Sequence, residues 1–576
     1  MTSLVTLDYV SIVLYLVLMA GIGLFFKWYV KDINAYTKGS GALPWVAAGI
    51  SNFMALFSTF IFVAYAGISY EYGLVSVTVL TSTVPACVIA AAVFAKKWRR
   101  SNVSTPVEYL ETRFNSSLRQ TVGWVGILMR ILDNTVRLYA IGIFLTAVTP
   151  LSLPMSMILS SIIVIAFTLY GGLWAVSIMG TVQFIILLFT SIILFWLSLD
   201  QVGGFSAIAE KIPDHLRWFN GPKGQFFWLG VYYLMVIIKY NENWTFIQRF
   251  YSVRDEKEAQ KVGYLSAALF LVTPIIFLVP PIVSRILMPE LPDKEMAYVA
   301  ISSLLLPPGL MGVMIASMFA ATMSSLNSEY NVIASVLSKD VYQRLINKKA
   351  TDKQLFLVAK IASVLVGLLV MLGALFIQDF GGAFEANKLF TGILAIPIGI
   401  PLVLGIVNRK ATPRGAMLTV VVGSITGVVL NALPQYFSWE MATTLEVIVC
   451  LVIFYASGLQ RPGHAAYLER VREFFKKLDT PIVDKPSVDR NFEKALKYLY
   501  AISLLFSSVL FIGMGLPYRN QLSGGLSIAS GMVCLFIGLV VWWAMKNTVM
   551  PPPDTMLPKE GESRPVKVPD ETNIKM

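Results

Sequence analysis

Gly309-Leu-Met-Gly-Val-Met-Ile-Ala-Ser-Met-Phe-Ala-Ala-Thr-Met-Ser-Ser-Leu-Asn-Ser-Glu-Tyr-Asn-Val-Ile-Ala-Ser-Val-Leu337 is long enough to cross a bilayer as one helix. Small residues and hydroxyls crowd one side of it. Ala321, Ser324, Ser325 and Ser328 are three or four positions apart and stack on a single helical face. Two readings of such a face stand at this point. Small residues let membrane helices approach closely. A few neutral oxygens, side-chain or backbone, also suit a small hard cation such as sodium.

The chain around this stretch is a membrane protein by composition. Of 576 residues, 56% are hydrophobic and 14% charged, with mean hydropathy +0.68. A water-facing surface needs more charge than that, which excludes a soluble enzyme on an anchor. Apolar runs of about 20 residues predict about fifteen membrane helices, near 8–27, 46–70, 74–95, 121–149, 154–172, 176–199, 225–246, 262–287, 309–337, 355–378, 388–407, 415–434, 440–458, 497–516 and 524–545.

The net charge of +12 is explained by topology, and no nucleic-acid partner is implied. Lys and Arg gather in alternate loops: Lys96 to Arg100, Arg249 to Lys261, Lys339 to Lys353, Arg409 to Arg414, and Arg461 to Lys497. The loops between, such as Tyr70 to Gly73 and Gln378 to Glu385, are poor in them. This places the basic loops in the cytoplasm, the N-terminus outside and the C-terminus inside a cell membrane. Cys87, Cys450 and Cys534 lie far apart in apolar spans and suggest neither disulfide nor metal site. The first span lacks a basic leader and is expected to be retained. His215 and His464 fall in polar loops, which excludes histidine catalysis within the membrane. HExxH-type spacing is absent too, so the chain is not expected to be an enzyme.

Val46 to Phe62 is apolar but punctuated by Ser51, Asn52, Ser58 and Thr59. Polar groups at that depth either bond to the preceding turn or mark a break whose freed carbonyls coordinate something. Downstream, Thr105-Pro-Val-Glu-Tyr-Leu-Glu-Thr-Arg-Phe114 is followed in order by Tyr170-Gly-Gly-Leu-Trp-Ala-Val176, by Ile247-Gln-Arg249 with Lys257-Glu-Ala259, by Ala321 to Tyr342, and by Asn408 to Ala416. These segments resemble the sodium:solute symporter family, which includes the sodium/glucose cotransporters, over roughly residues 40 to 420.

The resemblance implies an all-α integral membrane fold with an inverted five-helix-repeat, leucine-transporter-like core and flanking helices. Carried over, residues 1–45 hold an extra helix and a cytoplasmic loop, and 46–407 the transporter core, with repeats at about 46–199 and 225–407. Residues 408–545 hold C-terminal helices around a cytoplasmic loop at 459–496, and 546–576 a Pro- and charge-rich disordered tail. Residues 465–477 are expected to form an amphipathic helix on the membrane face.

It also implies a sodium ion held by the backbone carbonyls of Met54, Phe57 and Ala321 and the hydroxyls of Ser324 and Ser325. Gly180 stands where many relatives carry an Asp associated with a second cation or with sodium exit, which argues for one sodium per cycle. The polar contacts of a hexose site are not reproduced: the matching positions carry Val236, Lys239, Phe270 or Leu271, Leu389 and Ile61, with only Asn243 retained.

Candidate substrate-binding residues are Ser58, Thr59, Arg137, Lys239, Asn243 and Lys388. An ion pair of Asp133 with Arg130 or Arg137 on one helix, and of Lys239 with Glu242, is the structural alternative for the charges. The function expected is sodium-coupled import of a small organic solute by alternating access, with a sugar or sugar derivative favoured. Uptake of a carboxylate-bearing solute (sugar acid, monocarboxylate or amino acid) and a transporter-like nutrient sensor are the alternatives. The partners implied are sodium, the solute and the lipid bilayer, with no obligatory protein partner.

Overall fold

A computed structural model describes residues 4–29, 38–380, 383–459, 465–482 and 490–545. The tail at 546–576, His464 and parts of the loops expected at 27–38 and 459–496 lie outside them. The described residues are helical throughout, joined by turns and short loops.

We label the helices α1 (Thr6–Tyr29), α2 (Trp45–Leu56), α3 (Ile61–Tyr72), α4 (Val75–Ser101), α5 (Ser116–Val148), α6 (Leu153–Leu169), α7 (Gly172–Val202), α8 (Phe226–Glu242), α9 (Trp244–Tyr251), α10 (Glu256–Leu287), α11 (Leu310–Val336), α12 (Asp352–Ala374), α13 (Ala383–Leu404), α14 (Pro413–Asn431), α15 (Trp439–Ala456), α16 (Ala465–Asp479), α17 (Arg490–Gly515) and α18 (Leu522–Met545).

Among the described residues, eleven helices are long and apolar enough to cross a membrane, or twelve when the bent pair α2–α3 counts as one span. The expected fifteen are not reached, because the stretches 121–149, 154–172 and 225–246 correspond to α5, α6 and α8, which are outside those twelve. Helix α5 is 33 residues long but carries Arg119, Arg130, Asp133 and Arg137. Helix α6 ends at the backbone break of Gly172. Helix α8 stops at Asn243 after 17 residues.

Helix α11 is the axis of the bundle. Every residue from Leu310 to Val336 is buried, as a helix surrounded on all sides by others requires. Its start is capped by α1: Asp8 Oδ1 accepts from the backbone N–H of Gly309 (2.7 Å) and of Gly312 (2.9 Å). A carboxylate there satisfies two of the four free amides and opposes the helix dipole. Gly312 cannot be larger, because a Cβ on it would lie 2.3 Å from the Asp8 carbonyl oxygen.

Three breaks interrupt the helices packed around this axis. Helices α2 and α3 meet at 56°, with Phe57 extended (φ −78°, ψ 108°) between them. Gly172 (φ 53°, ψ −164°) separates α6 from α7, and its positive φ is open to glycine at little cost. Asn243 (φ −64°, ψ 120°) separates α8 from α9 and caps the latter, its Oδ1 accepting from Thr245 N–H at 2.9 Å.

Helix α16 is amphipathic as expected, yet its apolar face is spent on the protein. Phe474 stacks on Tyr109 with centroids 5.8 Å apart, Arg100 Nη1 donates to Leu478 O at 3.1 Å, and Arg113 Nη1 to Tyr467 Oη at 2.8 Å. It lies against the segment from Ala95 to Phe114.

Candidate sodium site and solute cavity

The α2–α3 break redirects hydrogen bonds that a continuous helix would keep to itself. Thr59 N–H would normally reach the carbonyl of Ala55. Instead it donates to Thr322 Oγ1 on α11 at 2.7 Å, and the Ala55 carbonyl accepts from Arg137 Nη1 at 2.8 Å. Thr59 Oγ1 donates to Met318 O at 3.0 Å. The broken segment is thereby pinned to α11 on one side and to α5 on the other. With Phe57 out of helical geometry the ladder is interrupted there, although Phe53 O still accepts from Phe57 N–H and Ser58 O from Ile61 N–H.

Ser324 faces this segment. A Cβ built on Gly180 of α7 would lie 3.5 Å from Ser324 Oγ and 3.8 Å from Met54 Cβ, so Met54, Gly180 and Ser324 share one small space. Ser325 is fully buried and its hydroxyl donates back to Thr322 O at 2.9 Å, leaving its lone pairs free. The fourth member of the face is differently employed. Ser328 Oγ donates to Ser324 O (2.9 Å) and accepts from Arg249 Nη2 (2.9 Å), whose guanidinium also donates to Ser51 Oγ at 3.1 Å. The polar face of α11 thus ends against a fixed cation, and what suits sodium narrows to residues 321–325.

Beside the break lies a cavity of about 60 Å³ between α2–α3, α4, α5, α8–α9 and α13. Ser58, Arg137, Lys239 and Asn243 line it. Thr59 and Lys388 do not. Thr59 is fully buried against Met318 and Thr322. Lys388 pairs with Glu385 and lies 5.1 Å over the ring of Trp439. Tyr65 and Tyr232 share a hydrogen bond of 2.8 Å in the cavity wall, with the Phe384 ring 6.0 and 6.1 Å from theirs. Lys223, from the loop before α8, covers Phe384 at 4.0 Å. Tyr65 meets Phe384 edge-on and Tyr232 stacks on it, and both tyrosines line the cavity.

The charges in the spans form two connected groups. Asp133 joins two cations: its Oδ2 accepts from Arg137 Nη2 and its Oδ1 from Lys239 Nζ, both at 2.9 Å. Lys239 also donates to Asn387 Oδ1 (3.1 Å) and Thr391 Oγ1 (2.8 Å). Arg130 faces Glu242 Oε2 at 2.8 Å and Glu329 Oε2 at 3.6 Å, with its guanidinium 4.7 Å over Trp244. The i,i+4 pair of Asp133 and Arg137 is one of the two the sequence offered. The pairing of Lys239 with Glu242 is corrected: Lys239 reaches across to α5, and Glu242 takes Arg130.

Glu329 and Asn387 were not singled out from the sequence. Glu329 sits inside the quoted stretch as an acid in an apolar span, a signal that was available. Asn387 carried none, because an amide beside Lys388 at a helix start is ordinary. At the cavity Arg137 and Lys239 share the one carboxylate of Asp133, while Arg130 faces the two of Glu242 and Glu329 and Arg249 lies apart at Ser328.

Residues 36–423 match the sodium:solute symporter family. The chain belongs to the sodium:solute symporter family. Among its relatives are a sodium/glucose cotransporter of Vibrio parahaemolyticus, 24% identical over 78% of this chain and 90% of that protein. The sodium/myo-inositol cotransporter 2 of Oryctolagus cuniculus is 27% identical over 73% and 69%. The sodium/sialic acid symporter NanT of Aliivibrio fischeri is 24% identical over 77% and 92%. A sodium-coupled sialic acid symporter, solved in a substrate-bound outward-open state, superposes with a TM-score of 0.70 at 22% identity, covering 80% of this chain and 99% of that one. The symporter fold is therefore shared, and these relatives are membrane transporters rather than enzymes. Sodium-coupled symport is the coarse function the family supports.

Proposed function

We propose that this symporter imports a small carboxylate-bearing solute, a sugar acid or similar sugar derivative, together with one sodium ion by alternating access. The sodium ligands are the carbonyls of Met54, Phe57 and Ala321 and the hydroxyls of Ser324 and Ser325. All five are neutral, so carbonyl dipoles offset the ion's charge. Arg249 at Ser328 and Gly180 in place of an acid both favour a single ion in this region. The repeats run about 46–199 and 225–407, with the N-terminus outside and the C-terminus in the cytoplasm.

The cargo reading rests on one observation: Arg137 and Lys239 both line the cavity and share the single carboxylate of Asp133. A solute carboxylate completes that set with charge-assisted hydrogen bonds, and Arg137 presents a planar fork suited to it. Ser58, Asn243 and Asn387 supply neutral polar groups for hydroxyls. This moves the balance from a neutral sugar toward an acidic one, in line with the sialic acid carrier among the relatives.

The test is uptake into proteoliposomes under an inward sodium gradient. Labelled sugar acids should accumulate, and a potassium gradient should not drive them. Accumulation of neutral sugars with exclusion of the acids would overturn the cargo. Equal uptake in potassium would overturn the coupling.

A further inference from the structure

Resting on the proposed acid cargo, we infer that Asp133 decides how much charge that cargo carries: it tunes the cavity to monoanions, against both neutral and doubly charged relatives. Asp133 is buried and is not among the residues that line the cavity. It stands behind three that are. Its Oδ2 accepts from Arg137 Nη2 at 2.9 Å, and its Oδ1 from Lys239 Nζ at 2.9 Å and from Asn387 Nδ2 at 2.6 Å. Each carboxylate oxygen thus has a cation on it, the strong, charge-assisted form of the bond.

The two cations differ in what they have left to give. An ammonium has three hydrogens, and Lys239 spends all of them, on Asp133, on Asn387 Oδ1 (3.1 Å) and on Thr391 Oγ1 (2.8 Å). Thr391 is free to accept, because its own hydrogen goes to Asn387 O at 2.6 Å. A guanidinium has five hydrogens. Arg137 spends one on Ala55 O and one on Asp133, so of the two cations it alone keeps donors for a solute. Lys239 is a positioning residue: it ties α8 to α5 and α13 and adds its charge to the cavity wall, while Arg137 makes the contact.

Two cations against one carboxylate leave a single positive charge at that wall. The other buried charges are spent elsewhere. Arg130 faces Glu242 and Glu329, Arg249 meets Ser328, and none of these four charged residues lines the cavity. In a dehydrated site an uncompensated charge is costly whichever partner carries it. A neutral cargo leaves the wall charge unanswered, and a dianion brings one charge too many. Charge balance therefore discriminates among solutes of the same outline.

Glucose, gluconate and glucarate share a six-carbon chain and carry no, one and two carboxylates, so they probe this directly. Each is labelled and taken up into proteoliposomes under an inward sodium gradient at pH 7, alone and in competition. The wild type should favour gluconate over both others. Asp133→Asn leaves two cations and should move the preference toward glucarate by roughly tenfold or more, the scale of a charge mismatch across an interface. Lys239→Met leaves a balanced pair and should move it toward glucose by a similar factor. Asp133→Asn/Lys239→Met restores one positive charge and should return the preference to gluconate, which a role in packing alone would not do. Should Asp133→Asn not fold, Lys239→Met and the charge-restored double variant decide.

Variants that take up less but keep the wild-type order of the three solutes overturn the inference and leave the acid cargo standing. A wild type that does not favour gluconate among the three also overturns it. The cargo proposal falls with it only where glucose is carried and sugar acids are excluded.

Discussion

Arg137 Nη1 donates to the carbonyl oxygen of Ala55 at 2.8 Å. One guanidinium thereby touches both the wall of the solute cavity and the helix break that supplies the candidate sodium ligands. Cargo that draws on Arg137 changes the support of the Met54–Phe57 segment, which is a physical route for coupling the two sites. Arg137→Ala should abolish solute uptake and also raise the sodium concentration for half-maximal binding. Arg137→Lys should recover part of the sodium affinity but little uptake, because one ammonium lacks the planar fork that holds Ala55 O and a carboxylate together. Sodium titrations of Tm on both variants, beside uptake, separate these effects.

Ser324→Ala removes a neutral oxygen from the space shared with Met54 and Gly180. Sodium-dependent uptake should fall by roughly tenfold or more while the protein level in the membrane stays unchanged. Unaltered sodium dependence would remove Ser324 from the site.

Gly180→Asp puts a carboxylate within reach of Ser324 Oγ, since its Cβ alone would stand 3.5 Å away. Sodium affinity or the number of ions per solute should change, read by parallel uptake of radioactive sodium and labelled solute. No change in either would show that the position is indifferent.

Arg130 is buried between Glu242 and Glu329. Arg130→Met strands both carboxylates and should destabilise the protein by about 3–5 kcal/mol, seen as a lowered Tm. The same loss should be smaller in Arg130→Met/Glu242→Gln, because one of the stranded charges is gone. A double variant no more stable than the single would contradict the pairing.

Lys223 lies outside the spans, and burial brings its amine down to about 8, with Glu385 opposing that shift. Its unfolded value is near 10.5, so between these limits the unfolded chain binds the extra proton and stability rises with pH. In the folded protein the charge above Phe384 is lost as pH passes about 8, and with it the cation–π contact and the approach to Glu385 at 3.8 Å. Uptake should therefore change between pH 7 and 9 (roughly one unit either side of the midpoint), and Lys223→Met should flatten that change. A Lys223→Met profile matching wild type would exclude a role for the Lys223 charge.

Much of the fold was legible because the bilayer is a strict solvent. An apolar stretch such as Leu310 to Val336 has few alternatives to a helix, and the loop charges around it are plain in one dimension. The polar interruptions at Ser58 and Thr59 and at Tyr170 to Gly172 likewise fall at or beside real breaks. Partnership was not legible. Asp133 could choose Arg130 or Arg137 at helical spacing, and only packing shows that Arg130 turns to Glu242 instead. Thr59 and Lys388 had the right chemistry, but one is consumed by α11 and the other by Glu385 and Trp439. Arg249 belongs to a motif near the end of α9, and nothing in its neighbours reveals that it closes off Ser328.

The unbalanced positive charge beside Asp133 bears on what powers import. If an anionic cargo neutralises it and a single sodium enters alongside, no net charge crosses per turnover. Uptake then responds to the sodium concentration ratio and ignores membrane voltage. A neutral cargo would carry one charge inward and gain about 2.3 kcal/mol for every 100 mV, inside negative. Clamping the voltage across the vesicles at a fixed sodium ratio therefore weighs the electrical load of Arg137, Lys239 and Asp133 directly.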